Sequence, residues 1–190
     1  MDSAAVLDLF RQSGALLEGH FRLTSGLHSD RYLQSALVLQ YPEFAARLGE
    51  ALAERTRHLQ PTVVLSPALG GIVIGQDVGR VLGIRAIFAE RQDGTLMLRR
   101  GFSVTSLDRV LVVEDVITTG GSTRETIDVA GDAGARVLGA AALIDRGVDS
   151  ARVSVPLFSL VKLNVPTYPP ESCPLCAKDI PVVKPGSRAS

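Results

Sequence analysis

The segment Val110-Leu111-Val112-Val113-Glu114-Asp115-Val116-Ile117-Thr118-Thr119-Gly120-Gly121-Ser122-Thr123 carries the signal that sets the fold. Four apolar residues, a strand of the type buried on both faces of a parallel sheet, run directly into two acids. A turn rich in glycine and hydroxyls over 116–121 then opens a helix over 122–132. In open α/β sheets, ligands sit at the carboxyl ends of strands, where loops lead into helices. Gly120 and Gly121 let the backbone approach an anion closely, and the helix start offers free N–H groups and a positive dipole end. Thr118, Thr119, Ser122 and Thr123 add hydroxyl donors, so a phosphate is held largely without lysine. Glu114 and Asp115 would repel that phosphate unless they face something else. Sugar hydroxyls or a hydrated Mg²⁺ are suitable targets, and a ribose phosphate with a metal satisfies both halves of the loop. The pattern is neither a Walker A sequence nor G-x-G-x-x-G, which removes support for nucleoside triphosphates and dinucleotides.

Outward from this segment the rhythm is βαβ. Thr62–Leu65 reads as a buried strand, Ser66–Gly71 as a loop, Ile72–Leu82 as a helix and Ile84–Ala89 as the next strand. Asp93-Gly94 between alternating residues over 92–100 predicts a β-hairpin. Val137–Ile144 and Val155–Leu163 are further strands, followed by a Pro-rich tail. Strands alternating with helices argue for a mostly parallel sheet covered on both faces. Upstream, Pro42–His58 predicts a helix with Phe44, Leu48 and Leu52 on one face. Ser3–Leu17 predicts another, capped by Ser3 and ended near Gly19. Short strands are expected around Ser25-Gly26. The first 40 residues and the tail fit the sheet poorly and are expected to form a separate flap.

The 190 residues are 46% apolar with 20 Lys+Arg against 20 Asp+Glu, enough for a packed core in one domain. Balanced charge gives no general attraction to nucleic acid or to an acidic membrane surface. The longest apolar stretch, near Val137–Ile144, is far below the ~20 residues that span a bilayer. Met1-Asp2-Ser3 with Asp8 lacks the basic flank and apolar run of a secretory signal, so a cytoplasmic protein is expected. The only lysines are Lys162, Lys178 and Lys184, which excludes lysine chemistry from the first 161 residues.

The acidic, glycine-rich segment resembles the phosphoribosyl pyrophosphate (PRPP) signature of type I phosphoribosyltransferases. Gly19–Tyr32 is similar to the N-terminal hood segment of the orotate-specific members, and Ser66–Ile72 to their pyrophosphate loop. Leu143-Ile144-Asp145-Arg146-Gly147 is similar to their late strand carrying an arginine. Cys173-Pro174-Leu175-Cys176-Ala177-Lys178, with Lys184-Pro185-Gly186-Ser187-Arg188, resembles the ending of a compact bacterial subset. The resemblance covers nearly the whole chain. It implies a type I phosphoribosyltransferase fold over residues 1–190, with 1–40 and about 155–190 forming a small hood and tail.

The resemblance also implies transfer of a phosphoribosyl group from PRPP to orotate in pyrimidine synthesis, with Mg²⁺, by a homodimer. By that analogy Glu114 and Asp115 contact the ribose 2′- and 3′-hydroxyls. The 5′-phosphate is held within Val116, Ile117, Thr118, Thr119, Gly120, Gly121 and Ser122, chiefly by Thr118–Ser122. Leu69 and Gly70, with Gly71, supply backbone N–H groups to the pyrophosphate. Orotate lies near Thr118 with Arg146 facing its carboxylate, under Tyr32 and Leu33. Longer members carry lysines where Thr24 and Gly70 stand, and a lysine-rich mobile loop with a histidine. Here 90–101 replaces that loop, so positive charge at the leaving pyrophosphate falls to Arg91 first, then Arg99 or Arg100. Glu114, Asp115 and Arg91 are therefore the expected catalytic residues.

Two rival readings are a transferase for another base and a PRPP-binding regulator without catalysis. Arg146 separates the first, because a neutral base offers it no carboxylate. The second would need a DNA-binding extension or a basic face. No metal-ligand set is assigned. One C-x-x-C supplies two thiolates, half of a four-cysteine zinc site, and a second chain or His20, His28 or His58 would have to complete it. Zinc, a redox pair and plain free thiols all stay open, with free thiols preferred. The scattered histidines give no support to a hydrolase triad.

Overall fold

The structure, a computed structural model, describes residues 1–23, 25–147 and 153–185. Thr24, and Gly186, Ser187 and Arg188 of the tail motif, lie outside them. The chain begins with α1 (Ser3–Gln12), β1 (Leu16–Arg22), β2 (His28–Leu33), a short α2 (Ala36–Leu39) and α3 (Pro42–Thr56). It continues through β3 (Val63–Pro67), α4 (Gly70–Leu82), β4 (Arg85–Gln92), β5 (Thr95–Leu98), β6 (Arg109–Ile117) and α5 (Gly121–Asp132). It ends with β7 (Arg136–Asp145), β8 (Leu157–Lys162) and β9 (Thr167–Tyr168).

The main sheet has the strand order β5-β4-β3-β6-β7-β8. Every neighbouring pair is parallel except the edge hairpin β4–β5. The mostly parallel sheet expected from the alternating pattern is thus present. Its strands are apolar on both faces because both are covered. Val64, Leu111 and Val113 pack with Leu48, Leu52, Ile74 and Val78 from α3 and α4. Val63, Leu65, Val110 and Val112 face the opposite way, onto the layer holding Ala130 of α5. All these side chains are fully buried. At about 1.5–3 kcal/mol for each large one, these interiors outweigh the fractional helix propensities of the covering elements.

The hairpin signal at Asp93-Gly94 holds, with Gln92 paired to Thr95 across a two-residue turn. The first helix is shorter than its apolar pattern implied. Gly14 takes a positive φ of 70° just beyond Gln12, and Leu16 and Leu17 begin a strand instead. Its N-cap is Asp2, whose carboxylate accepts from the Ala5 N–H at 2.8 Å. Ser3 instead donates to the Leu160 carbonyl at 3.1 Å. Val116 and Ile117, expected in a loop, still belong to β6, where they pair with Ile144 and Asp145 of β7.

Of the expected flap, β1, β2 and β9 form a separate three-stranded antiparallel sheet in the order β1-β2-β9. The rest of that expectation is corrected: α1 and α2 pack into the main core through Val6, Leu9, Phe10, Val38 and Leu39, and β8 is an edge strand of the main sheet. The tail returns to the small sheet: Arg22 N–H donates to the Val183 carbonyl, and Val183 N–H to the His20 carbonyl, each at 2.8 Å. This hood stands over the carboxyl ends of the central strands. Among the described residues no helix is long and apolar enough to cross a membrane.

Candidate active site at the carboxyl end of the central strands

β6 delivers Glu114 and Asp115 to its carboxyl end, and Thr118, Thr119 and Gly120 then turn the chain into α5. Gly120 sits at the helix cap with φ 78°, a conformation that costs other residues about 1–2 kcal/mol. No side chain caps this helix, so its first N–H groups stay open toward the loop. Thr118, Thr119 and Ser122 are exposed there. Thr123 is not, which corrects its expected part in anion binding. Its hydroxyl is fully buried and donates to Glu114 Oε2.

Glu114 is pushed up to about 7, chiefly by burial. The Thr123 hydrogen bond works against that shift, and the neighbouring Asp115 carboxylate adds to it. Asp115 is held by a hydrogen bond donated from Ser35, just beyond β2. A Cβ on Gly70 would meet the Asp115 carboxylate oxygens at 2.7 and 2.8 Å, so with Asp115 in this rotamer the close approach depends on glycine. Asp115, Ser35, Leu69 and Gly70 line one hollow of about 350 Å³. The expected diol-binding acid and the expected pyrophosphate loop are therefore in contact.

A larger hollow of about 590 Å³ opens beside it between the hood and the main sheet. Tyr32 and Leu33 from β2, Thr118 and Thr119 from the loop, and Arg146 beyond β7 line it together. The Arg146 N–H donates to the Ile117 carbonyl at 2.9 Å, which fixes that arginine at the loop's edge. Burial pushes its guanidinium pKa below the usual value, and among the described residues no carboxylate pairs with it. A partly desolvated guanidinium with no carboxylate partner among the described residues, at a hollow of this size, suits an anionic ligand. Arg31 lines the same hollow. Sequence reasoning passed over it, although it sits within the quoted hood segment next to Tyr32.

Arg91 is not brought to either hollow. It pairs with Glu125 of α5 at 2.7 Å and donates to the Gly94 carbonyl at 2.6 Å. Arg100 is held by Glu90 through contacts of 2.6 and 2.8 Å. Arg99 is exposed. Elsewhere, His20 and His28 of the hood strands meet Cys173 and Cys176 of the tail, whereas His58 packs edge-on against Phe158.

Against known proteins, the sequence model of the "Phosphoribosyl transferase domain" family matches residues 35–168. The orotate phosphoribosyltransferase of Heliobacterium modesticaldum is 53% identical over 190 residues, covering 99% of this chain and 100% of that protein. The crystal structure of Mycobacterium tuberculosis orotate phosphoribosyltransferase with inorganic phosphate is 25% identical and superposes with a TM-score of 0.69. That match covers 83% of this chain and 93% of the other. The same enzyme in complex with PRPP gives a TM-score of 0.65 at 25% identity over the same shares.

Proposed function

We propose, from the premise that this chain belongs to the orotate phosphoribosyltransferase family, that it joins orotate to PRPP in pyrimidine nucleotide synthesis. The observation that carries this reading is the larger hollow, where Arg146, unpaired among the described residues, shares the lining with Thr118 and Thr119, Tyr32 and Leu33. A planar base bearing a carboxylate fits that lining. A neutral base would leave the guanidinium without a partner.

In the proposed arrangement the 5′-phosphate lies on Thr118–Ser122 and the open N–H groups of α5. Glu114 and Asp115 grip the ribose hydroxyls. Backbone N–H groups of Leu69 and Gly70 meet the pyrophosphate, and Tyr32 and Leu33 cover orotate while Arg146 takes its carboxylate. The bond from the ring nitrogen to the anomeric carbon forms as the carbon–oxygen bond to pyrophosphate breaks, and that oxygen leaves with the electron pair. Orotate attacks as a deprotonated ring nitrogen, so no strong base is required of the protein. The ring gains positive charge in the transition state, and two carboxylates beside it stabilise that charge through fixed geometry.

Hard-oxygen donors suit Mg²⁺, and Asp115 beside the Leu69–Gly70 backbone fits a hydrated ion held by one carboxylate and substrate phosphates. When bound, Mg²⁺ would neutralise the departing pyrophosphate. We assign Arg91 first, then Arg99 or Arg100, to the same pyrophosphate. Within one chain Arg91 is engaged by Glu125, so the role fits a homodimer in which the β4–β5 hairpin serves the neighbouring subunit. In this reading residues 1–190 act as one domain in the cytoplasm.

With PRPP and Mg²⁺, the purified protein is expected to consume orotate, followed as loss of its ultraviolet band, while uracil and hypoxanthine stay inert. Turnover of a purine but not orotate would end the assignment. PRPP binding with no base turned over would favour a regulator.

A further inference from the structure

We infer that His20, His28, Cys173 and Cys176 form a closed, tetrahedral zinc site that fastens the tail to the hood. The four ligand atoms come from three separate parts of the chain and lie within 4.8 Å of one another. His20 Nε2 is 2.8 Å from His28 Nδ1, 3.6 Å from Cys173 Sγ and 3.8 Å from Cys176 Sγ. Cys176 Sγ is 3.3 Å from His28 Nδ1. Tetrahedral zinc, with its usual bonds to imidazole and thiolate, sets ligands apart by about 3.3 Å for N···N and about 3.6 Å for N···S. The four separations above lie within about 0.5 Å of those values, and every remaining pair lies within 4.8 Å, so a zinc ion fits with small side-chain adjustments.

The surroundings also suit a metal. His20 Nδ1 lies 2.7 Å from the Ile180 carbonyl. An N–H donated there leaves the Nε2 lone pair pointing into the cluster, the outer-shell arrangement that orients metal-bound imidazoles. His20 is 3% exposed, His28 6% and Cys173 3%, while Cys176 lies toward solvent. Two imidazoles and two sulfurs are a soft, nitrogen–sulfur donor set, which favours zinc over Mg²⁺. All four tetrahedral positions are filled by protein, so the role is structural and distinct from the phosphoribosyl site.

The position explains what such a site would do. His20 lies on β1 beside the strand irregularity between Glu18 and Phe21, and His28 begins β2. The cysteines flank the short turn after β9, and Ala177 N–H donates to the Cys173 carbonyl at 3.1 Å. A metal joins both hood strands to the tail and sets the register of β2, whose far end presents Arg31, Tyr32 and Leu33 to the larger hollow. A hood of only three short strands gains more from such a fastening than the main sheet would.

The test is the metal content of the full-length protein purified without added metal or chelator. About one zinc per chain is expected. After chelator treatment, Co²⁺ alone should restore binding and give the intense visible bands of tetrahedral cobalt with a thiolate charge-transfer band. Cys176→Ser should lose most of the bound zinc, and His58→Ala should keep it. Chelation should lower the thermal midpoint by more than ~5 °C. Zinc below a tenth of an equivalent, with both thiols reacting freely or joined as a Cys173–Cys176 disulfide, would overturn the inference. Cobalt spectra without thiolate bands would do so as well, whichever variants fold.

Discussion

Asp115→Asn is expected to lower kcat/KM for PRPP by about 10²–10³-fold while leaving the thermal midpoint within a few degrees of wild type. Asparagine keeps the shape that fits against Gly70 and can still accept the Ser35 hydrogen bond, so the fold survives. What disappears is a negative charge beside a sugar hydroxyl and beside a ring that becomes positive in the transition state. A hydrogen bond to a charged group is worth about 1.5–3 kcal/mol, and the lost transition-state attraction adds to it. Steady-state kinetics with circular dichroism check both halves. A loss below about fivefold would remove Asp115 from the machinery.

Glu114 behaves differently because of burial, and the difference is visible in pH dependence. Its pKa is raised to about 7 from 4.5. Between those values the folded chain holds a proton that the unfolded chain releases, so stability falls as pH rises through this window. The loss amounts to about 3 kcal/mol once Glu114 is fully ionised. Glu114→Gln should therefore match wild type in stability near pH 4.5, exceed it at pH 8, and lose activity at both. Wild-type KM for PRPP should rise about tenfold per unit below pH 7 as the acceptor is protonated. Parallel stability profiles for the two proteins would contradict this reading of Glu114.

The second large effect belongs to Arg146. Arg146→Ala is expected to raise KM for orotate about 10²-fold and to change KM for PRPP by less than about threefold. The side chain is partly desolvated, is unpaired among the described residues, and lines the hollow proposed for the base together with Tyr32 and Leu33. Arg146→Lys should recover only part of the loss, because an ammonium cannot offer the paired N–H groups of a guanidinium. Equal rises in both constants would place Arg146 outside the base subsite.

The site that these variants probe was legible in the sequence where it is local. Glu114 through Ser122 is one continuous strand–turn–helix, and each residue's place follows from the strand running out and the helix beginning. Tyr32, Leu33 and Arg146 could be placed only through family resemblance. Their meeting depends on how the hood folds over the sheet, which no local pattern encodes. The same holds for the Ser35–Asp115 hydrogen bond, and for Arg91, whose pairing with Glu125 joins the edge hairpin to α5. Thr123 was misread for a simpler reason. A hydroxyl at a helix start suits an anion as well as a neighbouring acid, and only its burial decides between them.

Fold boundaries followed the same logic. Leu16 and Leu17 continued an apolar spacing compatible with helix or strand, and Gly14 settled it for the strand. The hairpin at Asp93-Gly94 was readable because a two-residue turn fixes its own register. The histidine–cysteine cluster was unreadable as a unit, because more than 140 residues separate its halves.

Calorimetric titration of the full-length protein with PRPP and Mg²⁺ tests the docking of a ribose phosphate beyond β6 most directly. The expected result is saturable heat at one site per chain, strongly reduced in Asp115→Asn and retained in Arg146→Ala. No heat with the folded wild-type protein, or equal heat from all three, would contradict it.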